Sequence, residues 1–220
     1  MTGDAAHHLG RVLRAEAGQL YELSDGERVW LGRVEETRRD RVEFVLVEPI
    51  ASNEPALETT LLLAVVKFDS FEWALEKATE LGVRRIVPLA ATRSEKVLLQ
   101  AAEKRSERWK KVLLEASQQS RRVRIPELPG VEKPVTAFKR ANGFRVLLSE
   151  RAGAAPLKKL VPAGGANQAT LAIGPEGGWT DEEFAAAEAA GFRQASLGSL
   201  ILRTETSVVA ALSNLNYALG

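Results

Sequence analysis

From residue 60 onward the sequence alternates short apolar runs with stretches of helical periodicity, and this rhythm constrains the fold more than any other feature. The run TLLLAVV (60–66) is typical of a strand buried on both faces, and SFEWALEKATELG (70–82) carries its apolar residues on one helical stripe. Strands that alternate with helices predict an α/β fold with a mainly parallel sheet and helices on both sides. The further predicted strands are RIVPL, FRVLLSE, ATLAIG and QASLG. The further predicted helices cover 102–119, TDEEFAAAEAAG, where Thr180 and Glu183 have the spacing of a capping box, and ETSVVAALSNLNYAL.

The first 50 residues have a different pattern. QLYEL, RVWLGRV and RVEFVLVE alternate apolar with polar residues and include the turn SDGE, which predicts a small antiparallel β unit. The segment EPIASNEPALE has two prolines and no apolar periodicity, so it predicts a linker with a domain boundary near Asn53. We therefore expect two domains, residues 1–54 and 55–220.

Composition excludes several classes of protein. With 220 residues, 45% of them apolar, the chain can bury a large core, and it has no Cys, no apolar run long enough to span a bilayer and no leader-like start. A cytoplasmic protein without disulfides is the simplest expectation. Zinc sites built on thiolates are excluded, and with only His7 and His8 a histidine-rich metal site is not expected.

The net charge of +1 hides an uneven distribution. Residues 84–124 contain twelve Lys or Arg and four Glu, a local net of +8, whereas residues 1–50 contain seven basic and ten acidic residues. Such a cationic block indicates a polyanionic partner, because Lys and Arg gain affinity by neutralising phosphates. The alternative is a solvated helix face, which is common in charge-rich helices. Because RSEK and SQQSRRVR are loop-like and carry little compensating acid, we expect contact with nucleic acid.

The stretch LAIGPEGGWTDEE (171–183) predicts a glycine-rich turn between a strand and a helix, a place where phosphates often bind. It matches neither the phosphate-binding loop, which needs Lys and Ser or Thr after its last glycine, nor the dinucleotide fingerprint. Glu176 would also repel a phosphate, so a ligand here is expected to be neutral or cationic. The alternative is a plain tight turn.

Two more loops follow predicted strands, LLSERAG (147–153) and LGSLILRTET (197–206). In parallel sheets a ligand lies beyond the carboxyl ends of the strands, so the three loops converge if their strands are neighbours. Apolar side chains with many free backbone groups suit an adenosine-type ligand better than a triphosphate. The apolar candidates for this lining are Leu148, Ile173, Leu197, Ile201 and Leu202.

Four ordered motifs resemble one known family. HHLGRVLR, ATELGVRRIVPLAATRSEK, GPEGG and LGSLILRTET are similar to motifs of the RsmE family of small-subunit (16S) ribosomal RNA uridine-N3 methyltransferases, and the similarity runs from His7 to the C-terminus. That family belongs to the SPOUT methyltransferases. The resemblance implies a small PUA-like RNA-binding β-barrel in residues 1–54, and a knotted, mainly parallel SPOUT domain with a C-terminal trefoil knot in residues 55–220. It also implies the cofactor S-adenosyl-L-methionine, a homodimer, and small-subunit ribosomal RNA or the 30S subunit as partner.

The resemblance also implies where the cofactor binds. The glycine backbones would line the wall around adenine and ribose. Glu176 would accept hydrogen bonds from ligand or backbone, or favour the cationic sulfonium. Its alternative role is an internal brace of the loop. The residues implied in cofactor binding are Leu148, Gly174, Glu176, Gly177, Gly178, Leu197, Gly198, Ile201 and Leu202.

Methyl transfer to uridine N3 requires in-line positioning and loss of the N3 proton. The nearest candidates are Arg203 and Glu205 in RTET. Our hypothesis is that Arg203 stabilises the uracil oxygens while Glu205 positions Arg203 or accepts the proton. The alternative is a salt bridge between the two that only shapes the loop.

RNA would be held by cations of both domains. Because the target base must leave its stack, phosphate contacts around it are useful. His7 and His8 lead into the family motif, and their alternative interpretation is a tag remnant or frayed terminus. The implied RNA-binding residues are Arg11, Arg14, Arg93, Lys96, Arg121, Arg122 and Arg124.

The chain departs from the family pattern at two places. Leu200 stands where the family usually has Arg, so either RNA is held less tightly or another Arg compensates. Only MTGDAA precedes HHL, where members generally have a strand, so the small domain lacks an edge strand or closes differently. Two other functions therefore stay open: a non-catalytic RNA-binding or ribosome-assembly protein on the same scaffold, and a SPOUT methyltransferase for another RNA.

Overall fold

The computed structural model describes residues 1–38, 40–51 and 55–220, apart from the side chain of Asp4. These residues fall into two compact units, one of residues 1–54 with 122–124 and the other of residues 55–121 with 125–220. The predicted boundary near Asn53 lies outside the described residues.

The first unit begins with helix α1 (Gly3–His7) and a π-helical turn (His8–Val12), neither of which was predicted. His7 and His8 are exposed. Strands β1 (Leu20–Ser24), β2 (Val29–Thr37) and β3 (Val42–Ile50) follow in an antiparallel sheet of order β1-β2-β3, as the alternating pattern predicted. Its small core consists of Ala6, Leu9, Ala15, Val34 and Val42.

The predicted linker starts too early, because β3 continues through Pro49 to Ile50. Pro49 lies opposite Trp30 of β2, and β3 is the edge strand, so no neighbour requires the missing N–H of the proline. Three residues far along the chain also belong to this unit. The Ser24 hydroxyl donates to the carbonyl of Val123 at 3.0 Å, and Arg124 Nε donates to the carbonyl of Gly26 at 3.2 Å.

The second unit is built on a six-stranded sheet in which every pair of neighbours is parallel, which confirms the predicted fold class. The strand order is β5-β4-β8-β6-β9-β7. The strands are β4 (Glu58–Ala64), β5 (Arg85–Leu89), β6 (Phe144–Leu148), β7 (Ala155–Pro156), β8 (Gln168–Ile173) and β9 (Arg193–Ser196).

Helices cover both faces of this sheet, so alternate residues of a strand enter different cores. Leu61 and Leu63 of β4 belong to a large core with α2, α3 and α7, whereas Leu62 and Ala64 belong to a smaller core with α4 and α6. None of the described helices combines the length and apolarity needed to cross a membrane. The helices are α2 (Phe68–Glu80), α3 (Lys96–Gln119), α4 (Pro134–Lys139), α5 (Leu157–Leu160), α6 (Asp181–Ala189) and α7 (Thr204–Leu219).

Candidate functional site

A cavity of about 840 Å³ lies where β8, β6 and β9 end, and it is lined by the three loops that follow these strands. We name them the β8 loop (174–180), the β6 loop (149–154) and the β9 loop (197–203). The three strands are consecutive in the sheet, so the expected convergence of the loops is confirmed. All nine residues implied in cofactor binding line this cavity, together with Ile173.

The β8 loop is both a tight turn and a cavity wall. The N–H of Gly178 donates to the carbonyl of Pro175 at 2.8 Å, and Gly178 has φ +70°, a conformation that favours glycine. At Gly174 a Cβ atom would lie 3.0 Å from the indole of Trp179. The backbone at this position therefore packs so closely against the indole that an added side chain would require the indole to move.

Trp179 is a structural residue of the site that the sequence analysis missed. It is 4% exposed, packs edge-on against Phe138 at 5.7 Å, and its indole N–H donates to the carbonyl of Leu148 at 3.2 Å. The hydroxyl of Thr204 donates to the carbonyl of Gly174 at 3.3 Å. The β8 loop is thus joined to the end of β6 on one side and to the start of α7 on the other. An apolar aromatic directly after paired glycines was the available signal.

Arg93, which was expected to contact RNA, lines the cavity. Its Nη1 donates to the carbonyl of Gly177 at 2.7 Å. Arg151 also lines the cavity and was not predicted. Its guanidinium lies 3.7 Å from the ring centre of Phe184 and forms an ion pair with Asp181. Both cations are thereby tied to the wall of the cavity.

Glu176 lines the cavity and is exposed. Among the described residues its carboxylate has no hydrogen-bond or ion-pair partner. The internal brace considered for it is therefore not formed by the described part of the chain.

Arg203 and Glu205 are directed to different places. Arg203 is exposed and lines the cavity, whereas Glu205 is not part of the lining. Glu205 Oε1 accepts the hydroxyl of Ser70 at 3.2 Å, and its Oε2 is buried without a hydrogen-bond partner among the described residues. No ion pair joins the two residues, so neither the expected positioning of Arg203 by Glu205 nor the alternative salt bridge is present.

The remaining predicted RNA-binding residues are divided between the two units. Arg11 lies in the π-helical turn, next to its last residue Val12, and Arg14 is exposed with φ +51°. Lys96 is the first residue of α3 and Arg121 follows the end of this helix; both are exposed, the latter with φ +55°. Arg122 and Arg124 belong to the first unit.

The basic block separates into two kinds of cation. Arg105 and Arg108 of α3 approach Glu72 of α2 at 3.5 and 3.2 Å, so the solvated, ion-paired helix face considered above describes this helix. Arg93 and Lys96 have no acidic partner in the described residues. The cations of the block that form ion pairs include Arg84, Arg85, Arg105, Arg108, Lys110 and Lys111.

No group of three or more His, Asp or Glu side chains in the described ranges could hold a metal ion. The cavity is formed by three loops, and both apolar and charged side chains line it.

Comparison with protein families gives two matches. Residues 53–216 match an RNA methyltransferase domain, and residues 1–47 match an RNA methyltransferase PUA domain. The chain is 34% identical to ribosomal RNA small subunit methyltransferase E of Synechocystis sp., covering 100% of this chain and 73% of that protein. It is 28% identical to the Bacillus subtilis protein of the same name, covering 99% and 89%.

Solved structures show the same architecture. A ribosomal RNA small subunit methyltransferase E from Neisseria gonorrhoeae, solved with bound S-adenosylmethionine, superposes with a TM-score of 0.88 at 28% identity, covering 99% of this chain and 90% of that one. A Legionella pneumophila protein solved with the same cofactor has a TM-score of 0.88 at 29% identity, with coverage of 99% and 90%.

Proposed function

The chain belongs to the ribosomal RNA small subunit methyltransferase E family, and from this premise we propose that it transfers a methyl group from S-adenosylmethionine to small-subunit ribosomal RNA. The observation that carries the proposal is the cavity at the ends of β8, β6 and β9, lined by the nine residues that the resemblance implies in cofactor binding. Two similar structures were solved with this cofactor bound.

The residues present fit an adenosyl ligand. A volume of about 840 Å³ lies within the range of small-molecule sites. Leu148, Leu197 and Leu202 supply apolar wall, and the glycines of the β8 loop expose backbone groups to the cavity. At Gly174 an added Cβ atom would lie 3.0 Å from Trp179, so glycine allows the β8 loop to pack closely against this side chain. Bound there, S-adenosylmethionine supplies an electrophilic methyl group on a cationic sulfonium.

Glu176 supports a cationic ligand in this cavity. Its carboxylate is exposed on the lining and has no partner among the described residues, so it is available to the sulfonium or to ligand hydrogen bonds. Glu176 is the one charged residue in the sequence of the β8 loop, GPEGGWT. The loop itself is therefore suited to a positively charged group better than to a phosphate.

We further propose uridine N3 as the acceptor. N3 carries a proton, and the uracil that loses it develops charge on its two carbonyl oxygens. Arg203 lines the cavity, is exposed and forms no ion pair among the described residues, so its guanidinium can face that charge. Glu205 makes a less suitable base than expected, because its carboxylate accepts from Ser70 and lies outside the lining.

The proposal is tested by binding and by product mapping. Calorimetry should show S-adenosylmethionine binding, and ribosomal RNA from cells with and without the protein should differ by one N3-methyluridine in the small subunit. Cofactor binding without any methylated product would support the non-catalytic alternative. A product in another RNA would support a different SPOUT substrate.

Replacing Arg203 with Ala should separate chemistry from cofactor binding. Loss of a preorganised cation at a developing oxyanion typically lowers kcat about 10²- to 10³-fold. The Kd for S-adenosylmethionine should stay within about twofold, because Arg203 is assigned to the acceptor. Lys158→Ala removes an exposed cation of α5 outside the cavity lining and is the control. Full activity of Arg203→Ala would exclude a catalytic part for it.

The resemblance also implies a homodimer and a cytoplasmic location, and we keep both as part of the proposal. The location follows from a ribosomal substrate. Sedimentation of the full chain measures the oligomeric state.

A further inference from the structure

Glu183 is 4% exposed, an unusual burial for a carboxylate. Its Oε2 accepts the N–H of Thr180 at 2.9 Å, while the hydroxyl of Thr180 accepts the N–H of Glu183 at 3.2 Å. This reciprocal pair is the predicted capping box at the start of α6. A capping box requires only one carboxylate oxygen, so it does not explain the other.

The second oxygen joins a distant segment. Glu183 Oε1 accepts both the N–H and the hydroxyl of Thr92, at 2.8 and 3.1 Å. Thr92 lies in the β5 loop (90–95), between β5 and α3. Glu183 thus connects Thr92 to Thr180, the last residue of the β8 loop. Because a carboxylate oxygen removed from water must be supplied with hydrogen bonds, the β5 loop cannot move away without depriving Oε1 of its two donors.

Arg93 makes a second connection between the same loops. Its Nη1 donates to the carbonyl of Gly177 at 2.7 Å, and a Cβ atom at Gly177 would lie only 3.2 Å from the Cβ of Arg93. A guanidinium has five N–H donors, so others remain for a phosphate. Lys96, the first residue of α3, adds a second exposed cation just after the β5 loop.

We propose that Glu183 and Arg93 are positioning residues that couple cofactor binding to RNA binding, an inference that rests on the proposed function. A cofactor seated against Gly174 and Gly178 fixes the β8 loop, and the two connections then fix Arg93 in the arrangement that meets a phosphate. Conversely, a phosphate held by Arg93 fixes Gly177 at the cofactor wall. Each ligand strengthens the binding of the other by the same factor, as linkage requires.

The coupling is measured as the ratio of the RNA affinities with and without S-adenosylhomocysteine. RNA affinity is determined by fluorescence anisotropy on unmodified small-subunit ribosomal RNA, without and with saturating S-adenosylhomocysteine, which has no methyl group to transfer. For the unmodified protein we expect about 5- to 50-fold tighter RNA binding with the cofactor product present. Calorimetric affinity for S-adenosylhomocysteine, without and with RNA, should give the same ratio.

Glu183→Gln keeps the size of the side chain but replaces one acceptor oxygen with a donor, so the ratio should fall toward one while each ligand still binds alone. Thr92→Val removes only the hydroxyl donor and should lower the ratio partway. Glu182→Gln, the same charge change at the exposed neighbouring position, is the matched control and should keep the original ratio.

A ratio near one in the unmodified protein, or an undiminished ratio in Glu183→Gln, would overturn the coupling. If circular dichroism shows that Glu183→Gln does not fold, Thr92→Val decides: a lowered ratio supports the coupling and an unchanged one overturns it. A purely structural part for Glu183 would weaken both affinities and leave their ratio intact. Failure of the proposed function is distinct, since the unmodified protein would then bind no S-adenosylmethionine or would leave small-subunit ribosomal RNA without a methylated product.

Discussion

At the scale of single residues, the cavity depends on the contact between Gly174 and Trp179. The indole is held from three sides, by Phe138, by its hydrogen bond to Leu148 and by the backbone of Gly174 itself. It therefore has little freedom to retreat from an added atom. The missing side chain at Gly174 serves close packing, since among the glycines of the three cavity loops only Gly178 and Gly198 have positive φ.

Gly174→Ala should therefore weaken cofactor binding, because the added methyl group displaces the β8 loop that forms the wall of the cavity. Overpacking typically costs about 1–3 kcal/mol of unfolding free energy. If the β8 loop relieves the contact by shifting, the same cost of restoring its cofactor-binding arrangement raises the Kd for S-adenosylmethionine about fivefold or more. Calorimetry and thermal unfolding measure the two effects. Gly153→Ala, in the β6 loop with nothing within 4 Å of the added atom, is the control and should leave both values nearly unchanged. An unaltered Kd in Gly174→Ala would show that the indole can yield.

The sequence predicted many of the residues that line the cavity. It did not predict the direction of each polar side chain. Arg203 and Glu205 lie two positions apart, and only packing against α2 directs Glu205 to Ser70. Arg93 was assigned to RNA by its charge, and its bond to Gly177 joins segments 84 positions apart. Local spacing carries no information about such partners.

At the scale of elements, the turn between β1 and β2 has a titratable stabilising group. Asp25 accepts the N–H groups of Glu27 and Arg28 at 2.8 and 2.7 Å, and these hydrogen bonds lower the pKa of its carboxyl below the ordinary value of 3.8. Because the pKa of Asp25 is lowered in the folded state, its contribution to stability is complete above the pKa of the unfolded state. This contribution is lost as pH falls through the pKa of the folded state.

Asp25→Asn should accordingly lower the Tm at pH 7 and pH 5 by similar amounts, and the difference from the unmodified protein should shrink near pH 3. Thermal unfolding at the three pH values is the measurement. Glu27→Gln removes a charge from the same turn without removing that acceptor, so it should show a smaller difference at pH 7. A difference for Asp25→Asn that persists unchanged at pH 3 would rule out the carboxylate as its source.

Most elements were predictable because their signals are local. The α6 capping box and the doubly buried β4 were found from spacing and apolar runs. The start of α3 was misplaced, at 102 instead of Lys96, because its first turn carries Val97, which is 74% exposed, and so breaks the apolar stripe. The short helices α4 and α5 hold too few residues to show a period.

At the scale of the whole molecule, strand order and threading are not written in local patterns. The three loops meet because their strands are neighbours in the order β8-β6-β9. From the sequence, their convergence could be predicted only on the condition that these strands were neighbours. The trefoil knot and the homodimer were implied by resemblance alone, and both stay predictions. Periodicity in the sequence indicates which secondary structure a segment forms. It does not indicate whether the segment passes through a loop of the chain.

RNA binding is the property that should depend on both units together. Arg11→Gln combined with Arg14→Asn removes two exposed cations from the first unit, and Asn tolerates the positive φ of position 14. RNA affinity should fall, and the slope of log affinity against log salt should become shallower by about one for each phosphate that the protein no longer neutralises. Anisotropy titrations between low and physiological salt measure the slope, while calorimetric affinity for S-adenosylmethionine alone should be unchanged. Arg33→Gln removes a cation that lies 4.0 Å from Glu35 in the same unit and is the control. An unaltered slope in the double variant would mean that phosphates are held elsewhere.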